Sequence, residues 1–392
     1  MKKYLFLALG VAALTSCSSD EVTELNQGNE IKFSVVADND SRAHTVYCNN
    51  NLMESFNLYA CYEDSKTFID GDVYTVANDG SATGNHSRYW PETGNLDFYA
   101  TVNGTATLGT WPAAPTIADF EILTDVTAQK DLLYAVAPDK GKTADAITLN
   151  FRHALSQIEF RAKNTNADLH VEVTAVRVGR VNSIDTYNLP TGATDTDKYD
   201  IHQTPSATDR NVANEGKWTT PWANNLGTLK DYEVSFDAIV ADADGADLTI
   251  TANTEHAATE TNSLLLLPTI WDGNDAGTTA WQVPTSGGFT SYDGTYLAVK
   301  CTIWNVMGAT VNKTDDAVLH DDAWAIIPVE FNWAEGKKYI YTFVFGKGNA
   351  GYEEDSTDPV LWPIKLDVDV DDFVDGETYD PTDMVTNGTS NN

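Results

Sequence analysis

The residues best suited to chemistry in this 392-residue chain are few, and their spacing decides what each could do. The segment "FRHALSQ" offers His153 and Ser156, the base and nucleophile types of a hydrolase. Three residues apart on a strand, their side chains point to opposite faces, and no G-x-S-x-G elbow surrounds the serine. A structural histidine is the simpler reading. "DADGAD" (Asp242, Asp244, Asp247) and "DVDVDD" (Asp367, Asp369, Asp371, Asp372) carry the oxygen ligands that Ca²⁺ prefers. Neither continues into a calcium-binding loop with its closing Glu, and the second run alternates as the wet face of a strand does. Paired carboxylates for glycoside hydrolysis have no recognisable setting. There is no P-loop, dinucleotide fingerprint, H-E-x-x-H or C-x-x-C motif. No enzyme, metal or cofactor is therefore expected. One cation does stand out: Arg42, in the polar run "ADNDSRAHTVY", is the only arginine before Arg88.

The elements that must position these residues read as strands. From Ile31 onward, short alternating segments are separated by Gly, Asn, Asp and Pro clusters, among them "IKFSVV", "FNLYACY", "LDFYATV", "ITLNF", "HVEVTAVRV" and "KKYIYTFVFG". Their spacing and their β-branched and aromatic content predict antiparallel sheets packed as sandwiches, with few and short helices. "TDVTAQKDLL" and "SLLLLP" are too short to decide their own type. The turn-rich "APDKGKTAD" marks a domain boundary, giving an N-terminal domain over 43–147 and a C-terminal one over 148–375. Residues 182–229 read as a long loop carrying Trp218 and Trp222, and 376–392 as a mobile tail.

Composition narrows the partners. With 24 Lys+Arg against 58 Asp+Glu, the formal net charge is −34, a field that repels nucleic acid and anionic headgroups. The 42% hydrophobic content, with 10 Trp, 17 Tyr and 14 Phe, is ample for packed cores and unlike a disordered acidic chain. Four cysteines allow no disulfide scaffold; Cys48 and Cys61 could pair, and Cys61 could equally be a buried thiol. At the N-terminus, Lys2 and Lys3 precede an apolar run over 4–14, the layout of an export signal over 1–16 and too short for a membrane span. It ends in "LTSC", which resembles a lipoprotein lipobox, with Cys17 as the acylated residue. Several acyl chains on one cysteine hold a protein firmly at a membrane.

An ordered series of segments resembles the fimbrillin family, the subunits of type V pili. The series is "LTSCSSDEV", "IKFSVVADNDSRA", "RYWPETGNLDFYA", "DLLYA", "LNFRHALSQIEFRAKN" and "WAEGKKYIYTFVFGKG". The resemblance implies two transthyretin-like β-sandwich domains in tandem, export as an outer-membrane lipoprotein precursor, and assembly with other fimbrial subunits at the cell surface. It also implies a cut after an arginine by an arginine-specific surface protease, which removes the lipid and the first strand.

On this chain the cut falls at Arg42–Ala43, releasing the lipidated propeptide 17–42. The excised strand would carry Ile31, Phe33 and Val35 on one face. Its departure would expose an apolar groove and unpaired backbone, which another chain's strand can fill. "IKLDVDV" is the candidate donor, with Ile364, Leu366, Val368 and Val370 on one face. Burying those four side chains is worth on the order of 6–12 kcal/mol as an upper figure. Two readings of that strand stand: it is the donor, or it closes its own domain and the tail is the donor. A rival for the whole chain is a non-polymerising surface lipoprotein that binds glycans or host proteins through exposed aromatics, with Trp218 and Trp222 able to stack on sugar rings. Shaft, tip and anchor subunits would share this pattern.

Overall fold

A computed structural model of the protein describes residues 30–37, 53–62, 66–109, 115–190, 217–219, 229–249, 263–269, 294–306, 313, 317–353 and 359–372. The fold is all-β, as the alternating segments predict, and among the described residues the helical content is a 3₁₀ turn at Val126–Ala128.

The first strands are β1 (Phe33–Ala37), β2 (Ser55–Tyr62), β3 (Thr67–Val76), β4 (Ser81–Gly84) and β5 (Leu96–Val102). After β6 (Thr116–Glu121) come β7 (Leu133–Lys140) and β8 (Ile147–His153). Seven of these close into a barrel in the order β1-β4-β3-β2-β5-β7-β8. Closure depends on β1, which pairs antiparallel with β4 and parallel with β8. A barrel has no free edge, so β1 acts as a stave held on both sides.

The chain runs straight from β8 through Ala154 and Leu155 into β9 (Ser156–Asn164), the first strand of a larger sheet. The strand set changes at residues 154–155. There follow β10 (Leu169–Asn182), β11 (Ile184–Asn188), β12 (Lys217–Trp218), β13 (Leu229–Val240), β14 (Ala246–Asp247) and β15 (Leu264–Leu266). The last four are β16 (Tyr296–Asn305), β17 (Val318–Pro328), β18 (Lys337–Glu353) and β19 (Pro359–Asp372). The larger sheet runs β13-β10-β16-β17-β18-β9-β14, with β15 added on β9 and β19 on β18. β12, β11 and β6 form a small third sheet. The two segments of ambiguous type resolve as the 3₁₀ turn and as β15.

Two apolar cores share a wall. Every residue of "LDFYATV" is buried, which a strand with one wet face would not show. Leu96, Phe98, Ala100 and Val102 face the barrel interior, while Tyr99 joins the core of the larger sheet. β7 divides likewise, Leu133, Ala135 and Ala137 inward and Tyr134 and Val136 outward. On the outer side of that wall the Tyr134 ring packs against Tyr187, 5.2 Å between centroids.

Candidate functional site

The feature the sequence singles out, the segment around the first strand, is a slot with a well-defined lining. Ile31, Phe33 and Val35 are all buried in the barrel core, and Lys32 between them is exposed. Backbone bonds hold the strand on both flanks. Ile31 donates to the Arg88 carbonyl at 2.8 Å, Val35 to that of Gly80 at 2.7 Å, and the Ile147 amide donates to Lys32 at 2.8 Å. The ring of Phe33 is the central wedge. It meets Tyr74 and Phe98 edge-on, each at 5.2 Å between centroids, the geometry that aromatic quadrupoles favour. Trp90 stands edge-on to Phe98 at 5.9 Å, and Phe56 stacks on Tyr74 at 5.5 Å. Gly84 makes room for Tyr74, since a Cβ there would lie 2.7 Å from the ring. Burial, with the nearby Asp72 carboxylate adding to it, pushes the Tyr74 phenol up to about 12. Asp72 itself is paired with Arg88 at 2.6 Å beside the slot. The sequence pointed to Ile31, Phe33 and Val35 but not to Tyr74 or Phe98; the one signal was the aromatic at Phe33, which needs aromatic-sized room.

The candidate donor lies at an edge of the larger sheet. β19 pairs antiparallel with β18 in unbroken register from Lys337 opposite Asp372 to Phe345 opposite Ile364, and has no second neighbour among the described strands. Its apolar residues fall on one face, as their alternation requires, opposite Phe345, Phe343, Tyr341 and Tyr339. Those four aromatics are buried. Burial of the β19 row instead decays along the strand: Ile364 is 0% exposed, Leu366 partly buried, Val368 43% and Val370 58% exposed. On the other face, Lys365 pairs with Asp367 at 2.5 Å. Cys17, Arg42, Ala43, Cys48, Trp222 and the tail 376–392 lie outside the described residues.

The competing constellations are used up structurally. His153 Nδ1 lies 2.6 Å from Asp131 Oδ2, both buried, while the Ser156 hydroxyl donates to the Ala334 carbonyl at 2.7 Å. Asp242 Oδ1 accepts from the Asp244 and Gly245 amides of its own turn, and Asp247 pairs with Arg161 at 2.7 Å. Trp218 corrects an expectation. Far from standing in a wet loop, it is buried against Tyr187 at 4.9 Å, with its indole N–H donating to the Ala154 carbonyl at 2.8 Å. Its ring cannot stack on a sugar without unpacking that junction. Among the other tryptophans, Trp90 and Trp333 are buried. Trp304 and Trp324 lie half-buried under the cations of Lys313 and Arg177, at 5.3 and 4.0 Å. Cys61 is a free thiol, pushed up to about 11 by burial and then by Asp97. No helix among the described residues is long and apolar enough to cross a membrane.

The sequence profile of the fimbrillin-like family matches residues 24–358. This chain belongs to that family. A fimbrillin-like chain is a fimbrial or surface-adhesion subunit, a structural class rather than an enzymatic one. No curated protein matches it. Several solved structures are similar over most of their length. One is a candidate cell adhesion protein of Bacteroides uniformis, at 17% identity over 88% of this chain and 98% of that one, with a TM-score of 0.43. Another, also titled for cell adhesion, is from Parabacteroides distasonis, at 12% identity over 87% and 100%, TM-score 0.44. The tip fimbrial protein Mfa3 of Porphyromonas gingivalis matches at 8% identity over 88% and 99%, TM-score 0.34.

Proposed function

We propose that this fimbrillin-like chain is a structural subunit of cell-surface fimbriae, polymerised by β-strand exchange. In this reading the precursor is exported, acylated on Cys17 and held at the outer membrane by its lipid. An arginine-specific surface protease then cuts Arg42–Ala43, and residues 17–42 leave with the lipid and β1. The vacated slot between β4 and β8 is refilled by a strand of a neighbouring subunit, with residues 364–370 as the donor.

One observation carries the reading. The barrel is closed by a strand that sits at the N-terminal end of the described chain, just before the Arg42 segment, and supplies three buried side chains. Losing it opens a ready-lined apolar groove with two unpaired backbone edges, the acceptor that strand addition needs. The partly exposed apolar row of β19 supplies a matching donor type.

The test is Arg42→Ala. The variant is expected to fold as a monomer that keeps its N-terminal segment and forms no polymer ladder on detergent gels. Ladders of normal length from that variant would refute the mechanism.

A further inference from the structure

The two strands that this exchange would interchange carry the same pattern. The N-terminal one reads Ile31-Lys32-Phe33-Ser34-Val35, and β19 contains Ile364-Lys365-Leu366-Asp367-Val368. Ile, Lys and Val recur at the first, second and fifth places, the third stays apolar and the fourth polar. Resting on the strand-exchange reading above, we propose a definite register and partner: residues 364–370 of a second copy of this chain enter the slot in the direction of β1. Ile364 takes the place of Ile31, Leu366 that of Phe33, and Val368 that of Val35.

The lining accepts this register position by position. The three inward sites are buried apolar pockets, and Lys365 takes the exposed outward place of Lys32. At the fourth place the Ser34 hydroxyl lies 3.4 Å from that of Thr148. With Asp367 there, the Thr148 hydroxyl can donate to a carboxylate, a stronger hydrogen bond than between two hydroxyls. Two places further, Asp369 comes opposite Asn150, the partner of Val36 in the present register, whose side-chain amide can donate to it. A slip by one residue would send the whole apolar row to the wrong face, so the alternatives left to exclude are slips of two. The centre is the one misfit. The Phe33 pocket is built for a ring that meets Tyr74 and Phe98 edge-on, and Leu366 restores neither contact. The donor therefore copies β1 except at its tightest point, leaving the subunit joint looser than the barrel it replaces.

Cysteine pairs read this register directly. Adjacent strands put facing Cα atoms about 4.8 Å apart, within disulfide range, whereas an offset of two residues places them beyond about 7 Å. In chains carrying Cys48→Ser and Cys61→Ser, polymers of the Thr148→Cys/Asp367→Cys variant are expected to survive non-reducing boiling that dissociates the parent polymer. Those of Thr148→Cys/Asp369→Cys are expected to fall to monomer. The opposite result, or no cross-link from either pair in polymers that do form, overturns the register and leaves strand exchange standing. If the wild-type chain forms no polymer after cleavage, strand exchange fails and the register falls with it. Leu366→Phe adds an independent reading: regaining two edge-on ring pairs should slow polymer dissociation about tenfold or more. Dissociation no slower than wild type would remove Leu366 from the Phe33 pocket.

Discussion

β1 and β19 are strands of the same chemical kind in opposite states. Each alternates apolar and polar residues, and each presents its apolar row toward a core. β1 has a neighbour on both sides, and Ile31, Phe33 and Val35 are all buried. β19 has one neighbour, and its row emerges progressively into solvent, from Ile364 to Val370 at 58% exposed. The difference lies in the number of flanking strands and in how far the facing layer extends, not in the residues. The other edge of the larger sheet sharpens the point. β13 is guarded as edges usually are: its pairing with β10 is broken by two register shifts, and Lys230, Asp231, Glu233 and Asp237 are interspersed along it. β19 also has two shifts in its pairing, but both lie on the Pro359 side of Ile364, so residues 364–372 keep an unbroken register over nine pairs, and its apolar row runs out into the exposed Val368 and Val370. A stretch that stays regular and keeps apolar side chains exposed between its charges is one suited to pairing again.

Substitutions can break this contrast. The largest effect is expected at Phe33→Ala in the uncut chain, which empties the centre of a closed barrel and should cost about 3–5 kcal/mol in chemical denaturation. Ile364→Ala, at the buried end of β19, should cost about 2–5 kcal/mol. Val370→Ala, at the exposed end, should stay within about 0.5 kcal/mol. If Val370→Ala destabilised the monomer as much as Ile364→Ala, the strand would be packed along its full length, and its role as a loosely held edge would be lost.

Much of this was legible because period-two alternation is a local property. The strands of β1, β2, β5, β8, β10 and β18 appear as alternating runs, and the inward set Ile31, Phe33, Val35 follows from spacing alone. The histidine in "FRHALSQ" lies buried against Asp131, but the single-strand spacing argument does not apply to it, since His153 ends β8 and Ser156 opens β9. What stayed hidden depends on distant partners. Nothing local in "LDFYATV" says that both faces would be covered. Nothing in "IKFSVV" says that its strand would run parallel to β8 and close a ring, a pairing made across more than a hundred residues of chain. Trp218 misled for the same reason: its polar neighbours suggest a wet loop, while Tyr187 and the Ala154 carbonyl, which bury it, come from elsewhere. The assembly residues Cys17, Arg42 and Ala43 rest on sequence pattern alone.

The smallest effect is a spectroscopic one, and it separates an occupied slot from an empty one. Tyr74 lies against Phe33, and its phenol is pushed up to about 12 by burial first and by Asp72 next. An ordinary tyrosine titrates near 10. The folded state thus holds this proton more tightly than the unfolded chain. The associated stabilisation is complete below pH 10 and is lost as pH rises through 12. With β1 in place, the difference between wild type and Tyr74→Phe in phenolate absorbance should be nearly flat up to pH 11. Once cleavage at Arg42 has removed β1, water reaches the ring, and the same difference should rise with a midpoint near 10. Filling the slot with a donor strand should restore the flat curve, since burial rather than strand identity sets the shift. A midpoint unchanged by removal of β1 would mean that the slot closes over when its strand leaves, and a collapsed slot cannot serve as an acceptor.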